Sequence, residues 1–203
     1  LAERYTVVCA DLRGYGDSSK PPGQPDHGNY SKRAMALDQI RLMEAFGFTR
    51  FAVVGHDRGG RVAHRMALDH PQAVSRLAVL DIVPTYRLYS AVTREFASAY
   101  YHWFFLTQPA PLPETLIGNS ADFYLRNGHF RGLIPSVISD EIYAEYLRCY
   151  QDPATLHAMC EDYRAAATID LEHDKADLAT RLQCPLLAIW GARGAMDPLF
   201  DVL

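Results

Sequence analysis

The sequence predicts an α/β fold: a mainly parallel sheet with helices on both faces and one helical insertion. Three observations carry this expectation. Short apolar, β-branched runs alternate with stretches of helical periodicity, and each run closes on a Gly or an Asp. The middle of the chain then switches to an aromatic-rich helical pattern with no strand-like runs of its own. At 203 residues and 49% apolar content the chain can bury one substantial core.

Taken in order, residues 5–10 (YTVVCA) predict a first strand ending at Asp11, followed by a glycine-punctuated loop through Arg13, Gly14, Tyr15, Gly16, Asp17 and Ser18. Ala34, Leu37, Ile40, Leu42, Met43 and Ala45 recur at helical spacing, predicting a helix over 30–46 that Gly47 stops. Residues 51–55 (FAVVG) predict a strand, and 59–70 a helix with Val62, Ala63, Met66 and Ala67 on one face. Strands at 75–80 and 185–190 complete the sheet. Between them lies the insertion. We therefore expect a core of 1–86 and 175–203, incomplete at both ends, and a helical cap of 87–174 inserted after the strand that ends at Asp81. The cap should cover the carboxyl ends of the strands, where open α/β sheets bind ligands.

Composition excludes several functions. A formal charge of -4, with Lys and Arg scattered, argues against a nucleic-acid partner. No apolar run reaches the roughly 18 residues a spanning helix needs, and residues 1–20 lack the features of a secretory signal, so no membrane role is expected and the cytoplasm is the expected compartment. Cys9, Cys149, Cys160 and Cys184 are widely spaced, without a CxxC pair, and read as buried thiols rather than a disulfide framework or a zinc site.

Gly55-His56-Asp57-Arg58-Gly59 has the small-x-nucleophile-x-small spacing of a strand-to-helix elbow, whose glycines allow the strained turn that lifts the central side chain out of the sheet. Serine is the usual occupant. A carboxylate there can attack a saturated carbon that carries a leaving group, forming an ester that water then cleaves. The plainer alternative makes Asp57 a helix N-cap. Arg58 and Arg61 lie three residues apart on the following helix and can share a face above the elbow. Two cations near a helix N-terminus oppose its dipole, and the guanidinium fork suits bidentate capture of a carboxylate. Alternatively, both pair with acidic side chains, as Arg65 is expected to do.

Asp11-Leu12-Arg13-Gly14-Tyr15-Gly16-Asp17-Ser18-Ser19, Gly55-His56-Asp57-Arg58-Gly59-Gly60-Arg61 and Leu80-Asp81-Ile82-Val83-Pro84-Thr85 resemble three blocks of the haloalkane dehalogenase and epoxide hydrolase superfamily of α/β-hydrolases. Within it the chain resembles the fluoroacetate (haloacetate) dehalogenases over essentially its whole length. The second block is the specific one, because relatives acting on neutral haloalkanes or epoxides commonly carry Trp where this chain has Arg58. The resemblance implies conversion of fluoroacetate to glycolate and fluoride through an Asp57 ester, with no cofactor and no metal. It assigns the substrate carboxylate to Arg58 and Arg61 and the halide to His102, Trp103 and Tyr163. Asp81 becomes the acid that orients a catalytic His.

From composition alone, the aromatic run at 100–105 would be cap packing and Asp81 a loop cap. The family's His lies on a loop after the last strand, and none of the eight histidines here occupies that position; His56, on the elbow strand, reads as structural. The chain is thus expected to be an internal fragment of a protein of about 300 residues, lacking that His and the strand between its first two strands. The resemblance also implies a homodimer. Two other readings stay open, an epoxide hydrolase of the same superfamily and a non-catalytic hydrolase-fold binding protein.

Overall fold

In the computed structural model, residues 1–131 and 133–192 are described. The first helix, α1 (Lys32–Ala45), begins where the Ser31 side chain accepts a hydrogen bond from the Ala34 N–H, satisfying one of the amides a helix start leaves free. It stops as expected before Gly47, whose φ of +81° suits a residue without a Cβ. Its buried face, Met35, Ala36 and Ile40, packs on α2 (Asp57–Asp69), which presents Val62, Ala63, Met66 and Ala67.

The strand β1 (Phe51–His56) precedes α2, and β2 (Val74–Leu80) follows it. With β3 (Leu186–Ile189) they form a parallel sheet in the order β1-β2-β3. His56 pairs with Leu80, and Leu80 with Ile189, so the three strands end level. Asp57 and Asp81 are the next residues on adjacent strands. The register alone thus brings both acids to the carboxyl edge of the sheet.

Residues 5–10 do not form the expected strand. A strand exists only through its ladder partners. Among the described residues β1 pairs on one side only, with β2, and this run pairs with no strand. Tyr5 and Val7 are accordingly exposed, as is Val54 on the unpaired sheet edge. The thiols also depart from expectation. All four cysteines are free, but only Cys160 is buried, and Cys9 is exposed.

After β2 the chain is helical. The elements are α3 (Thr85–Ser90), α4 (Arg94–Ala99), α5 (His102–Phe105), α6 (Leu112–Gly118), α7 (Ala121–Tyr124) running into a π turn (Leu125–His129), α8 (Asp140–Tyr150), α9 (Pro153–Ala167) and α10 (Ile169–Ala176). Asp152 caps α9 through the Ala154 N–H, and Pro153 opens it, a position where the missing amide costs nothing. α9 is buried nearly all round, because two apolar clusters meet on it. Ala158 and Ala165 belong to the cluster built on α1, α2 and the sheet. Leu156, Met159, Cys160, Tyr163 and Ala166 belong to one with Val83, Leu88, Phe96, Trp103 and Leu106. No described helix is long and apolar enough to cross a membrane.

Candidate active site

The β1–α2 junction is a sharp elbow. Asp57 has φ +47°, a left-handed conformation that costs a non-glycine residue about 1–3 kcal/mol and persists only where the surroundings enforce it. The close approach falls on Gly55 and Gly60. A Cβ added at Gly55 would lie 2.4 Å from the Gly59 carbonyl oxygen and 2.7 Å from the Gly60 Cα, whereas one at Gly59 would meet nothing within 4 Å. The spacing thus pointed to the right turn, but the second glycine it needs is 60 rather than 59.

Asp57 is not a cap. His56 holds the N-cap position, no side chain makes the capping bond, and the Asp57 carboxylate stands exposed. Asp81 has φ +54°; its N–H donates to the Ile189 carbonyl at 2.7 Å, and its Oδ1 accepts from the Gly191 N–H at 3.4 Å.

Arg58 and Arg61 are both buried, beneath aromatic rings. The Arg58 guanidinium lies 4.1 Å from the Tyr163 ring centre and 5.1 Å from that of Trp103, and Arg61 lies 4.3 Å from the Trp103 ring. Their polar partners differ. Arg58 Nε donates to Asp162 Oδ2 at 2.7 Å, while its Nη2 donates to Asp162 Oδ1 at 2.8 Å and to the Asp162 carbonyl at 3.0 Å. Only its Nη1, buried, has no partner. Arg61 Nη1 donates to the Val83 carbonyl at 2.7 Å and to Thr85 Oγ1 at 3.4 Å, its Nε is buried without a partner, and no carboxylate pairs with it among the described residues.

Charge follows geometry. Burial alone would lower the Arg58 pKa, but the Asp162 charge and hydrogen bonds raise it well above the usual value. For Arg61, burial and the neighbouring Arg58 charge act together, and its pKa falls to about 10. Arg65, one turn on, is occupied by Asp69 and Asp177 at 2.6 Å each, as its position suggested.

His102, Trp103 and Tyr163 form one ring cluster. Tyr163 meets Trp103 edge-on at 5.4 Å and His102 at 5.9 Å between centres. Burial and the adjacent His129 push the His102 pKa down to about 4, so its ring is neutral at pH 7. The Asp57 charge acts on Arg61, His102 and Tyr163 alike, so the elbow carboxylate shares their space. His129 faces His102 at 6.1 Å, and its Nε2 lies 3.2 Å from the Tyr150 hydroxyl.

Sequence reasoning passed over Asp162, Lys32, Tyr15 and His129. Asp162 carried no signal of its own, since α9 also bears Glu161 and Arg164 beside it. No described group of His, Cys, Asp and Glu could hold a metal ion. The arrangement offers a strained, exposed carboxylate near the buried Arg61 guanidinium and the neutral His102 ring, with Arg58 next in sequence and locked to Asp162. That set can attack a carbon electrophile carried on an anion.

Comparison with known proteins agrees in fold. A family model described as "alpha/beta hydrolase fold" matches residues 1–203. A fluoroacetate dehalogenase from Burkholderia sp is 54% identical over all of this chain and 67% of its own length. A soluble epoxide hydrolase from Corynebacterium sp. (strain C12) is 34% identical over 94% of the chain and 66% of its own. Among solved structures, a Nostoc sp PCC 7120 protein assigned provisionally to the alpha/beta hydrolases superposes with TM-score 0.91 at 55% identity, over 95% of this chain and 66% of that one. The chain therefore spans about two thirds of the length of these relatives.

Proposed function

The chain belongs to the alpha/beta hydrolase fold family, and from that premise we propose that it hydrolyses haloacetates, taking fluoroacetate to glycolate and fluoride. The observation that carries this reading is Arg61: a buried guanidinium, one helical turn from the elbow carboxylate, with no carboxylate partner among the described residues. A buried cation left this way costs several kcal/mol unless an anion joins it. In this reading the substrate carboxylate takes that place, held by Arg61 and by the free Nη1 of Arg58.

The carboxylate fixes the α-carbon in line with Asp57, and such positioning can supply several kcal/mol of the barrier. The Asp57 oxygen attacks that carbon, a C–O bond forms, and the C–F bond breaks. Fluoride leaves into donors from neutral His102, Trp103 and Tyr163, which replace its water shell. Water then attacks the ester carbonyl with help from a general base, which Asp81 orients; that base is not among the described residues. In this reading residues 87–174 form the cap over the carboxyl ends of the strands. The resemblance adds a cytoplasmic homodimer, and neither feature enters this chemistry.

A second reading, epoxide hydrolysis, is favoured by the Corynebacterium relative and by the buried Tyr163 hydroxyl, a donor an epoxide oxygen could use. One experiment separates the two. The full-length protein is incubated with fluoroacetate or with styrene oxide, and halide release, diol formation and the mass of the Asp57 peptide are followed. Fluoride release with a transient adduct on Asp57 is expected. Diol without fluoride would overturn the proposal.

A further inference from the structure

Asp162 lies midway along α9 with no exposure to solvent, and every oxygen it has is occupied. Oδ2 accepts from Arg58 Nε at 2.7 Å and from the Tyr15 hydroxyl at 2.6 Å. Oδ1 accepts from Arg58 Nη2 at 2.8 Å and from Lys32 Nζ. Its carbonyl accepts from Arg58 Nη2 at 3.0 Å and Lys32 Nζ at 3.4 Å. A carboxylate held by four side-chain contacts from α1, α2 and the loop at Tyr15 cannot turn, and neither can the guanidinium locked to it.

Two consequences follow for Arg58. Its Nε and Nη2 are fully used, so the pair of hydrogens on Nη1 is all it can offer a ligand, in a direction Asp162 sets. Its charge is also cancelled. Lys32 pairs with Asp170 Oδ2 at 3.2 Å as well as with Asp162, so two cations and two anions, Lys32, Arg58, Asp162 and Asp170, sum to zero. Burial opposes ionisation of Asp162, but the Arg58 and Lys32 charges outweigh it and hold the carboxyl well below its usual range.

We infer that Asp162 is a positioning residue for the proposed reaction: it aims the Nη1 of Arg58 and neutralises Arg58 so that this cation does not pair with the adjacent nucleophile Asp57. Arg58 directly follows Asp57, and a free guanidinium there would draw the carboxylate into an ion pair and weaken its attack. Arg61 then carries the uncompensated charge that attracts the substrate. The inference rests on the haloacetate reading for its kinetic consequences but not for its geometric one.

The test uses the full-length protein and the variants Asp162→Asn, Lys32→Met, their double, and Tyr15→Phe, with fluoroacetate turnover normalised to the folded fraction from circular dichroism. Asp162→Asn should lower kcat by at least about 10-fold while KM stays level or falls, because an unneutralised Arg58 still attracts the substrate anion. Removing Lys32 in the same protein gives Arg58 no carboxylate in place of Asp162, so the double variant should keep the low kcat, while Lys32→Met alone, which leaves the Arg58–Asp162 pair in place, should lose less. Tyr15→Phe, which removes one contact and no charge, should lower kcat by about 2- to 5-fold and serves if Asp162→Asn does not fold.

A purely structural Asp162 predicts instead lower melting temperatures with kcat and KM unchanged per folded molecule in the single and double variants alike. That outcome overturns the inference. If the wild-type protein releases no fluoride, the haloacetate reading fails, and Asp162 is judged by the crystal structure of Asp162→Asn or, failing that, Tyr15→Phe. An Arg58 guanidinium displaced from its present position supports the positioning role; an unmoved one overturns it.

Discussion

Arg58 and Arg61 sit three residues apart on one helix, equally buried and against the same Trp103, yet the protein surrounds them differently. Beneath Arg58 is α9, which supplies a carboxylate and closes the charge. Beneath Arg61 is the β2–α3 connection, which supplies a carbonyl and a hydroxyl and leaves the charge open. The contrast separates two duties that the sequence motif shows as one. Arg58 is tied into the fold through Asp162, and Arg61 is buried with no carboxylate beside it among the described residues; in the proposed reading Arg58 lends a donor and Arg61 receives the substrate anion.

The sharpest way to break this contrast is to truncate each arginine and compare stability with turnover. Arg58→Met leaves Asp162 buried with one cation fewer, and breaking a buried pair this way costs about 3–5 kcal/mol, read from urea denaturation. Arg61→Met removes a buried charge with which no carboxylate pairs among the described residues, so stability should hold or rise, by up to a few kcal/mol. Activity should divide the other way for Arg61. Losing charge-assisted hydrogen bonds to the substrate should lower kcat/KM for fluoroacetate by roughly 10- to 100-fold in a fully folded protein. A large stability loss in Arg61→Met would erase the distinction.

A smaller effect tests whether His102 belongs with the neutral, open side of the site. Its pKa falls from 6.5 to about 4 through burial and His129. The unfolded chain therefore binds a proton between these values that the folded protein refuses, so stability is intact above about pH 6.5 and declines as pH falls towards 4. The loss is on the order of 1–3 kcal/mol. Urea midpoints measured from pH 7 to 4.5 should fall less in His102→Gln than in the parent, and parallel curves would contradict this assignment.

What could be read from the sequence follows from how local each feature is. α1, β1, α2, β2 and β3 appear close to where periodicity put them, since apolar spacing and a cap or glycine decide such elements within a few residues. The elbow was legible for the same reason, as Gly55, Asp57 and Gly60 are nearly contiguous. The run at 5–10 was misread because a strand needs a partner from elsewhere. The division between the arginines was hidden because Asp162 is 104 residues from Arg58, on a helix that also carries Glu161 and Arg164, so nothing local marks which acid meets a distant cation. Lys32 and Tyr15 were further out of reach, on segments whose own patterns speak only of a helix and a loop.

The finest test concerns Trp103, which touches both arginines and so should register the difference between them. Its ring lies nearer Arg61, at 4.3 Å, than Arg58, at 5.1 Å. Trp103→Phe keeps a ring while weakening cation–π attraction by about 0.5–1 kcal/mol and removing the indole N–H. Arg61 has fewer other contacts, so its placement should suffer more, raising KM for haloacetates by a few-fold while the Arg58–Asp162 pair and overall stability hold. The lost donor adds a second signature in kcat. Fluoride depends more on hydrogen-bond donors than chloride does, so fluoroacetate turnover should fall further than chloroacetate turnover measured side by side by ion chromatography. Equal losses for the two halides would make Trp103 a packing residue between two cations and leave His102 and Tyr163 to receive the halide.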